Sequence, residues 1–266
     1  MFKLYSLIKN SSNYSQTLYI QTAMYITVLV GLITNFNFGL LLVGLILGWL
    51  LFCFGVSISL HKFISHRSFD ARNRFVKLLL LWLGTQTTLG SPIGFAAGHR
   101  QHHLDSDGDT DPFKLENNMW HNIKLWFYRF PLNTISPRLV KDLSKDPDFK
   151  FFHKNYWKIW SILPITILII SPVYFVYFFA IPVVYCFVGM SYVTVVAHSK
   201  TWQRLFRGTN EFNDLDDSWD SNFFTYLFAG EGFHHAHHVD PTQYDYGKTN
   251  NRFDFSGTVI EKLLKD

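Results

Sequence analysis

Phe38–Leu60 reads FGLLLVGLILGWLLFCFGVSISL, without one charged residue, and runs directly into His61-Lys62-Phe63-Ile64-Ser65-His66. About 20 apolar residues let a helix cross the hydrocarbon of a bilayer, so the stretch predicts a transmembrane helix that ends on histidines. Working outward, no Asp, Glu, Lys or Arg occurs from Asn10 to Leu60, 51 residues, nor from Ile159 to Ala197, 39 residues. Each run holds two spans and a tight turn: about 17–36 and 38–60 around Asn35–Asn37, and about 157–171 and 173–197 around Ser171–Pro172. The expected fold is therefore all-α and integral to the membrane, with four transmembrane helices in two hairpins. The polar stretches 61–156 and 198–266 form a cap on one face, and residues 1–266 make a single domain.

Charge orients this arrangement. Arg67, Arg72, Arg74 and Lys77 follow the second span, the two tight turns carry no charge, and positive charge marks the cytoplasmic side. Both termini and the cap are expected there, in a bacterial inner membrane or the endoplasmic reticulum. Lys3 and Lys9 before the first apolar segment mimic a signal peptide, but the segment continues into a second span with no small-residue cleavage site, which reads as a retained anchor. A net charge of +4 without a basic stripe of interleaved aromatics argues against nucleic acid. Cys53 and Cys186 form no CxxC pair and lie inside the uncharged runs, so neither a disulfide framework nor a thiolate metal site is expected.

Histidine carries the chemistry. His99, His102 and His103 follow an i, i+3, i+4 pattern, which places three imidazoles on one helical face. His234, His237 and His238 repeat it, with His235 pointing elsewhere. His61, His66 and the isolated His198 complete a set of nine at helix ends or in loops on one side of the membrane. Nine ligands imply two metal ions. A structural zinc site would be satisfied by four ligands, usually including cysteine, whereas imidazole also suits iron, with its oxygen chemistry. A histidine-ligated di-iron site under apolar helices is suited to oxidising an unactivated C–H bond in a lipid chain.

Two further stretches bear on this. Leu78–Gly98 is uncharged but interrupted by Gly84, Gln86, Gly90, Ser91-Pro92 and Gly94, and a full crossing would separate His61 and His66 from the His99 triplet. The segment at about 76–97 is therefore expected to lie in the interface or to dip in and return. Asp105-Ser106-Asp107-Gly108-Asp109-Thr110-Asp111 suggests a calcium loop, but Thr110 stands where that motif needs glycine. Its carboxylates read as partners that fix the imidazole tautomers, or as a solvated turn.

The three groups HKFISH, HRQHH and HHAHH, in this order and separated by hydrophobic hairpins, resemble the histidine boxes of the membrane fatty acid desaturases, most of all the Δ9 acyl-CoA (stearoyl-CoA) type. The flanks are similar too: Ser106-Asp107 and Asp111-Pro112 after the second box, and Gly230-Glu231-Gly232-Phe233 before the third. The resemblance extends from the first span to about Gly247. It implies a di-iron centre ligated by His61, His66, His99, His102, His103, His198, His234, His237 and His238. It also implies a cis double bond introduced into a fatty acyl chain, with O2 and two electrons consumed, one hydrogen removed from each of two adjacent methylenes, and water released. The mechanism it implies needs no acid or base side chain beyond the ligands.

In the family an asparagine four residues before the isolated histidine can hold a metal-bound water. Here that position is Thr194, whose hydroxyl is the candidate for the role. His235 stands where the family commonly has asparagine, and it is left out with His121 and His153. Ala97-Gly98 replaces charged residues that many acyl-CoA members carry, so the acyl carrier (CoA, carrier protein or intact lipid) stays open. With no haem or flavin segment in the chain, electrons are expected from a separate donor such as cytochrome b5 or ferredoxin with its reductase. The alternatives are a di-iron lipid hydroxylase and, from another class, a non-enzymatic histidine-rich metal-binding membrane protein; the latter would place ligands within its spans, and none lies mid-span.

Overall fold

The computed structural model describes residues 13–116, 122, 125, 135–209, 216–248 and 251–266. Lys3, Lys9 and His121 lie outside them. Among the described residues the regular elements are helices, with only isolated bridges such as Thr209–Asp220 and Asp220–Phe233 in extended conformation. Helix α1 (Asn13–Thr34) leads to α2 (Phe38–Ser65), and two shorter helices follow, α3 (Arg74–Gln86) and α4 (Pro92–Leu104). Further along the chain come α5 (Pro147–Lys154), α6 (Tyr156–Ile170) and α7 (Pro172–Val196). The cap closes with α8 (Lys200–Phe206), α9 (Asn222–Leu227), α10 (His234–Val239) and α11, Phe255–Val259 running on as Ile260–Leu264.

Among the described residues two helices, α2 with 28 residues and α7 with 25, are long and apolar enough to cross a membrane; the apolar parts of α1 (Leu18–Thr34) and α6 are shorter. Glycines let the two long helices touch. A Cβ on Gly44 would stand 2.6 Å from the Tyr177 carbonyl oxygen, and one on Gly48 would stand 2.8 Å from Tyr185 Cβ. This is the small-xxx-small device by which apolar helices associate where burial from water gives no drive. The turn between α1 and α2 is fastened to α7: the Tyr177 hydroxyl donates to the Asn35 carbonyl at 2.7 Å and accepts from the Asn37 amide at 2.8 Å. Asn37 in turn caps α2, accepting from the Leu40 amide at 2.9 Å.

Helix α2 does not end at Leu60 as the charge pattern suggests. It continues to Ser65, and its second half, Phe52–Ser65, winds with i→i+5 hydrogen bonds. At about 100° per residue in an ordinary α-helix, five residues turn by about 140° and would aim His61 and His66 apart. The wider turn, a form that recurs at functional sites, brings residue i+5 back over residue i. The two rings lie 5.0 Å apart.

The segment at about 76–97 is two helices. Asn73 caps α3 and Ser91 caps α4, with Pro92 in the first turn. Between them the chain reverses through Thr87–Ser91, where Gly90 takes φ +117°, a conformation that favours glycine. Ser59 Oγ donates to the Leu80 carbonyl at 2.6 Å, binding α3 to the widened half of α2. The second box thus starts on a helix that returns beside the first.

Candidate metal centre

Each histidine is delivered by a specific piece of local structure. Arg100, between His99 and His102, reaches back to the end of α2: its guanidinium donates to the Ser65 carbonyl at 2.6 Å and to the Leu139 carbonyl at 2.7 Å, and it pairs with Asp142 at 2.7 Å. His198 emerges from α7 through a last widened turn, Tyr192–Val196. Buried Trp219 pins that exit, its indole N–H donating to the Val196 carbonyl at 2.8 Å and its amide to the Ala197 carbonyl at 3.0 Å. Asp220 then accepts from the His235 amide at 2.7 Å and sets the start of α10.

These elements bring all nine expected rings into two adjoining clusters. His61, His66, His99, His103 and His237 offer five nitrogens, and His102, His198, His234 and His238 offer four; within each set the atoms lie within 4.8 Å of one another. Nε2 atoms face Nε2 atoms: His66 and His99 at 2.6 Å, His103 and His237 at 2.9 Å, His198 and His234 at 2.9 Å, His61 and His237 at 3.0 Å. His235 is turned out of the set, its Nδ1 2.9 Å from Ser218 Oγ. His153 is remote, bonded to Ser91 Oγ. Thr194 is buried, but its hydroxyl donates to the Met190 carbonyl at 2.9 Å within its own helix.

Carboxylates stand behind the rings. His61 Nδ1 lies 2.7 Å from Glu231, His102 Nδ1 2.8 Å from Asp111, His198 Nδ1 3.0 Å from Asp107 and His238 Nδ1 2.6 Å from Asp216. A ring that gives its Nδ1 proton to a carboxylate presents an Nε2 lone pair at the other end, which is how metal-ligating histidines are held in one tautomer and made more basic. The acidic stretch after the second box thus supplies tautomer-fixing partners, Asp107 and Asp111. Glu231, in the Gly230–Phe233 flank of the third box, and Asp216, which no motif marks, play the same part.

The donor set fits a pair of borderline cations. His238 Nε2 is buried without a hydrogen-bond partner although its Nδ1 is held by Asp216, and the Nδ1 atoms of His234 and His237 are likewise unpartnered. A lone pair facing another lone pair at such distances is repulsive unless a proton or a cation lies between. Protons are a poor filling: burial first, and neighbouring imidazoles second, hold the pKa values of His66, His99, His103, His234, His237 and His238 well below the ordinary 6.5. For His198 burial also works downward, but the hydrogen bond and charge of Asp107 outweigh it and the pKa is raised. Glu231 is held below the ordinary carboxylate range despite its burial, by His61 and Lys62.

A second polar network adjoins the centre. Lys62, fully buried, donates to Asp254 at 2.8 Å and to Ser256 Oγ at 2.5 Å, and its ammonium stands 4.0 Å over the Tyr246 ring. Ser57 Oγ donates to Glu231 at 2.6 Å and lies 3.3 Å from Ser256 Oγ. The ring of Tyr246 lies 4.7 Å from that of His237. Sequence reasoning did not single out this cluster, because Lys62 and Asp254 are 192 positions apart.

The three boxes and their spacing are a family's signature, and the family model for fatty acid desaturases matches residues 36–247. The chain belongs to the fatty acid desaturase family. Among similar proteins is the sn-1 stearoyl-lipid 9-desaturase of Anabaena variabilis, 30% identical over 210 residues that cover 77% of this chain and 74% of the relative. Others are the sn-2 palmitoyl-lipid 9-desaturase of Nostoc sp., 25% identical over 73% of this chain and 68% of the relative, and acyl-CoA desaturase 1 of Saccharomyces cerevisiae, 26% identical over 71% and 38%. The chain spans about half the length of two chloroplast desaturases of Arabidopsis thaliana that it also matches. The likeness to Δ9-type desaturases expected from the boxes is met, and it extends to acyl-lipid as well as acyl-CoA relatives. This desaturase is an oxidoreductase that acts on fatty acyl chains in membranes.

Proposed function

We propose that this desaturase introduces a cis double bond of the 9-desaturase type into the acyl chain of an intact lipid, at two iron ions held by the nine histidines. The observation that carries the reading is the pair of adjoining imidazole clusters, five and four nitrogens, with carboxylates on four of the outer nitrogens. Bound iron would supply the oxidation of unactivated methylenes by O2 and two electrons. The chain's own residues do the rest. Glu231, Asp111, Asp107 and Asp216 orient the rings, and burial keeps bulk water from the clusters. A cavity of about 230 Å³ between α2, α3, α6 and α7, lined by Leu47, Leu51, Phe54, Trp82, Leu83 and Leu163, offers an apolar wall for an aliphatic chain. Positioning matters because a displacement of about 1 Å can cost roughly a hundredfold in rate.

A lipid carrier is supported by the acyl-lipid names of similar cyanobacterial proteins and by the uncharged Ala97-Gly98 ahead of the second box. Four spans, with α1 and α6 completing the two hairpins and α3–α4 re-entrant, would leave the centre at the cytoplasmic face. Electrons would come from a separate carrier such as cytochrome b5 or ferredoxin with its reductase. Expression in a desaturase-deficient host, followed by fatty acid analysis of separated lipids, tests the reading: a mass loss of two hydrogens at one position is expected. A gain of oxygen would make the protein a hydroxylase. His237→Ala should abolish the product with expression unchanged, and retained double-bond formation would remove His237 from the ligand set. Thr194→Val is expected to keep the product if the hydroxyl only caps its own helix, and to lose it if the hydroxyl holds a metal-bound water.

A further inference from the structure

The two imidazole clusters are unequal in their surroundings, and the inequality runs against their ligand count. Three of the four rings in the smaller cluster are backed by carboxylates: His102 by Asp111, His198 by Asp107 and His238 by Asp216. Each of those carboxylates is itself fixed. Asp111 accepts the Asp107 and Phe113 amides at 2.8 Å, Asp107 accepts the Asp217 amide at 2.9 Å, and Asp216 accepts the Ser218 amide at 3.0 Å. In the larger cluster one ring of five, His61, has a carboxylate, Glu231, within bonding distance. The cations lie on that side too: Lys62 follows His61 in the chain, Arg100 follows His99, and Arg100 Nε donates to the Ser65 carbonyl beside His66.

We propose that the four-histidine subsite binds its metal ion first and more tightly, so that the dinuclear centre assembles in order, with Asp107, Asp111 and Asp216 as the positioning residues that impose it. The inference rests on the dinuclear reading given above. A carboxylate on the outer nitrogen is worth about 10- to 100-fold in metal affinity. Two more such partners outweigh one additional neutral imidazole, because they place full negative charges a few ångströms from a divalent ion in surroundings that screen poorly. The five-histidine subsite has the larger donor number but a near-neutral frame, and it fills second.

Anaerobic titration of the purified, metal-free full-length protein in detergent with Co2+ alone reads this directly, from the visible absorption of the bound ion. Two steps are expected, the first at least about a hundredfold tighter. Asp216→Asn should weaken the tighter step 10- to 100-fold and leave the weaker one in place, while Glu231→Gln should do the reverse. Equal affinities for the two ions, or a tighter step that moves with Glu231→Gln and not with Asp216→Asn, would overturn the order while leaving two metals in place. Binding of fewer than two Co2+ would instead overturn the dinuclear reading itself. Should Asp216→Asn fail to fold, Asp107→Asn at the more accessible carboxylate makes the same test, and the shape of the wild-type isotherm decides on its own whether the sites are unequal.

Discussion

The two halves of α2 carry similar apolar residues and treat them in opposite ways. In Phe38–Leu51 the turns are ordinary and Phe38, Leu42, Val43, Leu45, Ile46 and Leu50 are exposed. In Phe52–Ser65 the turns are widened and all but one of the residues are buried, the polar Ser57, Ser59, His61, Lys62 and Ser65 among them. A contiguous apolar surface of this kind marks contact with a partner or a membrane; the first half presents such a surface, whereas protein surrounds the second. The polar groups are found where a soluble protein would keep its oil. They survive there because each is paired, since a buried polar group without a partner costs about 1–3 kcal/mol.

The largest expected effect that would break this contrast is acid. Six histidines of the clusters, with pKa values well below 6.5, are neutral in the folded metal-free protein, so below about 6.5 the unfolded chain binds more protons than the folded one. Stability is whole above that value and falls as pH drops toward the folded-state pKa values. His198, with its pKa raised, works in the opposite sense and loses its contribution as pH rises, but it is one group against six. Thermal unfolding of metal-free protein between pH 7 and 5 should show a steep fall in Tm, and a flat profile would mean that the rings are protonated or solvent-exposed.

Next in size is Lys62→Met, which leaves Asp254 buried without its cation and should cost about 3–5 kcal/mol. Asp254→Asn in the same chain should recover part of the loss, a coupling that denaturant titrations of the single and double variants would expose. The same substitution in the two halves of α2 sharpens the comparison. Ile58→Ala, fully buried, is expected to cost about 2–5 kcal/mol. Gly55→Ala, whose Cβ would lie 2.6 Å from Thr87 and 2.9 Å from the Leu83 carbonyl, should cost about 1–3 kcal/mol. Ile46→Ala, 59% exposed, should stay within about 0.5 kcal/mol; equal losses for Ile46→Ala and Ile58→Ala would end the distinction.

The helical class, the two long apolar helices and the nine histidines were legible because each rests on a local pattern: the absence of charge over long runs, and triplets at i, i+3, i+4. His61 and His66 were legible as a pair only by their place at the end of a span, since a spacing of five is wrong for one face of an ordinary helix, and no periodicity announces the widened turn that corrects it. Among the carboxylates, Asp107 and Asp111 stood out through proximity to the second box. Glu231 stood out as part of the flank of the third box but not as the partner of His61, and Asp216 not at all, because a single acid in a loop acquires its meaning from whichever ring the fold delivers to it. The Lys62–Asp254 pair lay out of reach for the same reason.

The glycine contacts of α2 have a mechanical corollary. With Gly44 and Gly48 pressed onto Tyr177 and Tyr185, the seam between the two longest helices described is a zip with no room for even a methyl group at either tooth. The opposite wall of the apolar cavity is softer: α6 contributes Leu163 and carries Pro164 within its length, where a backbone donor is missing. Of the helices that line the cavity, the zipped pair is thus the fixed jaw, and the helix with Pro164 is the side with a hydrogen bond fewer to hold it straight.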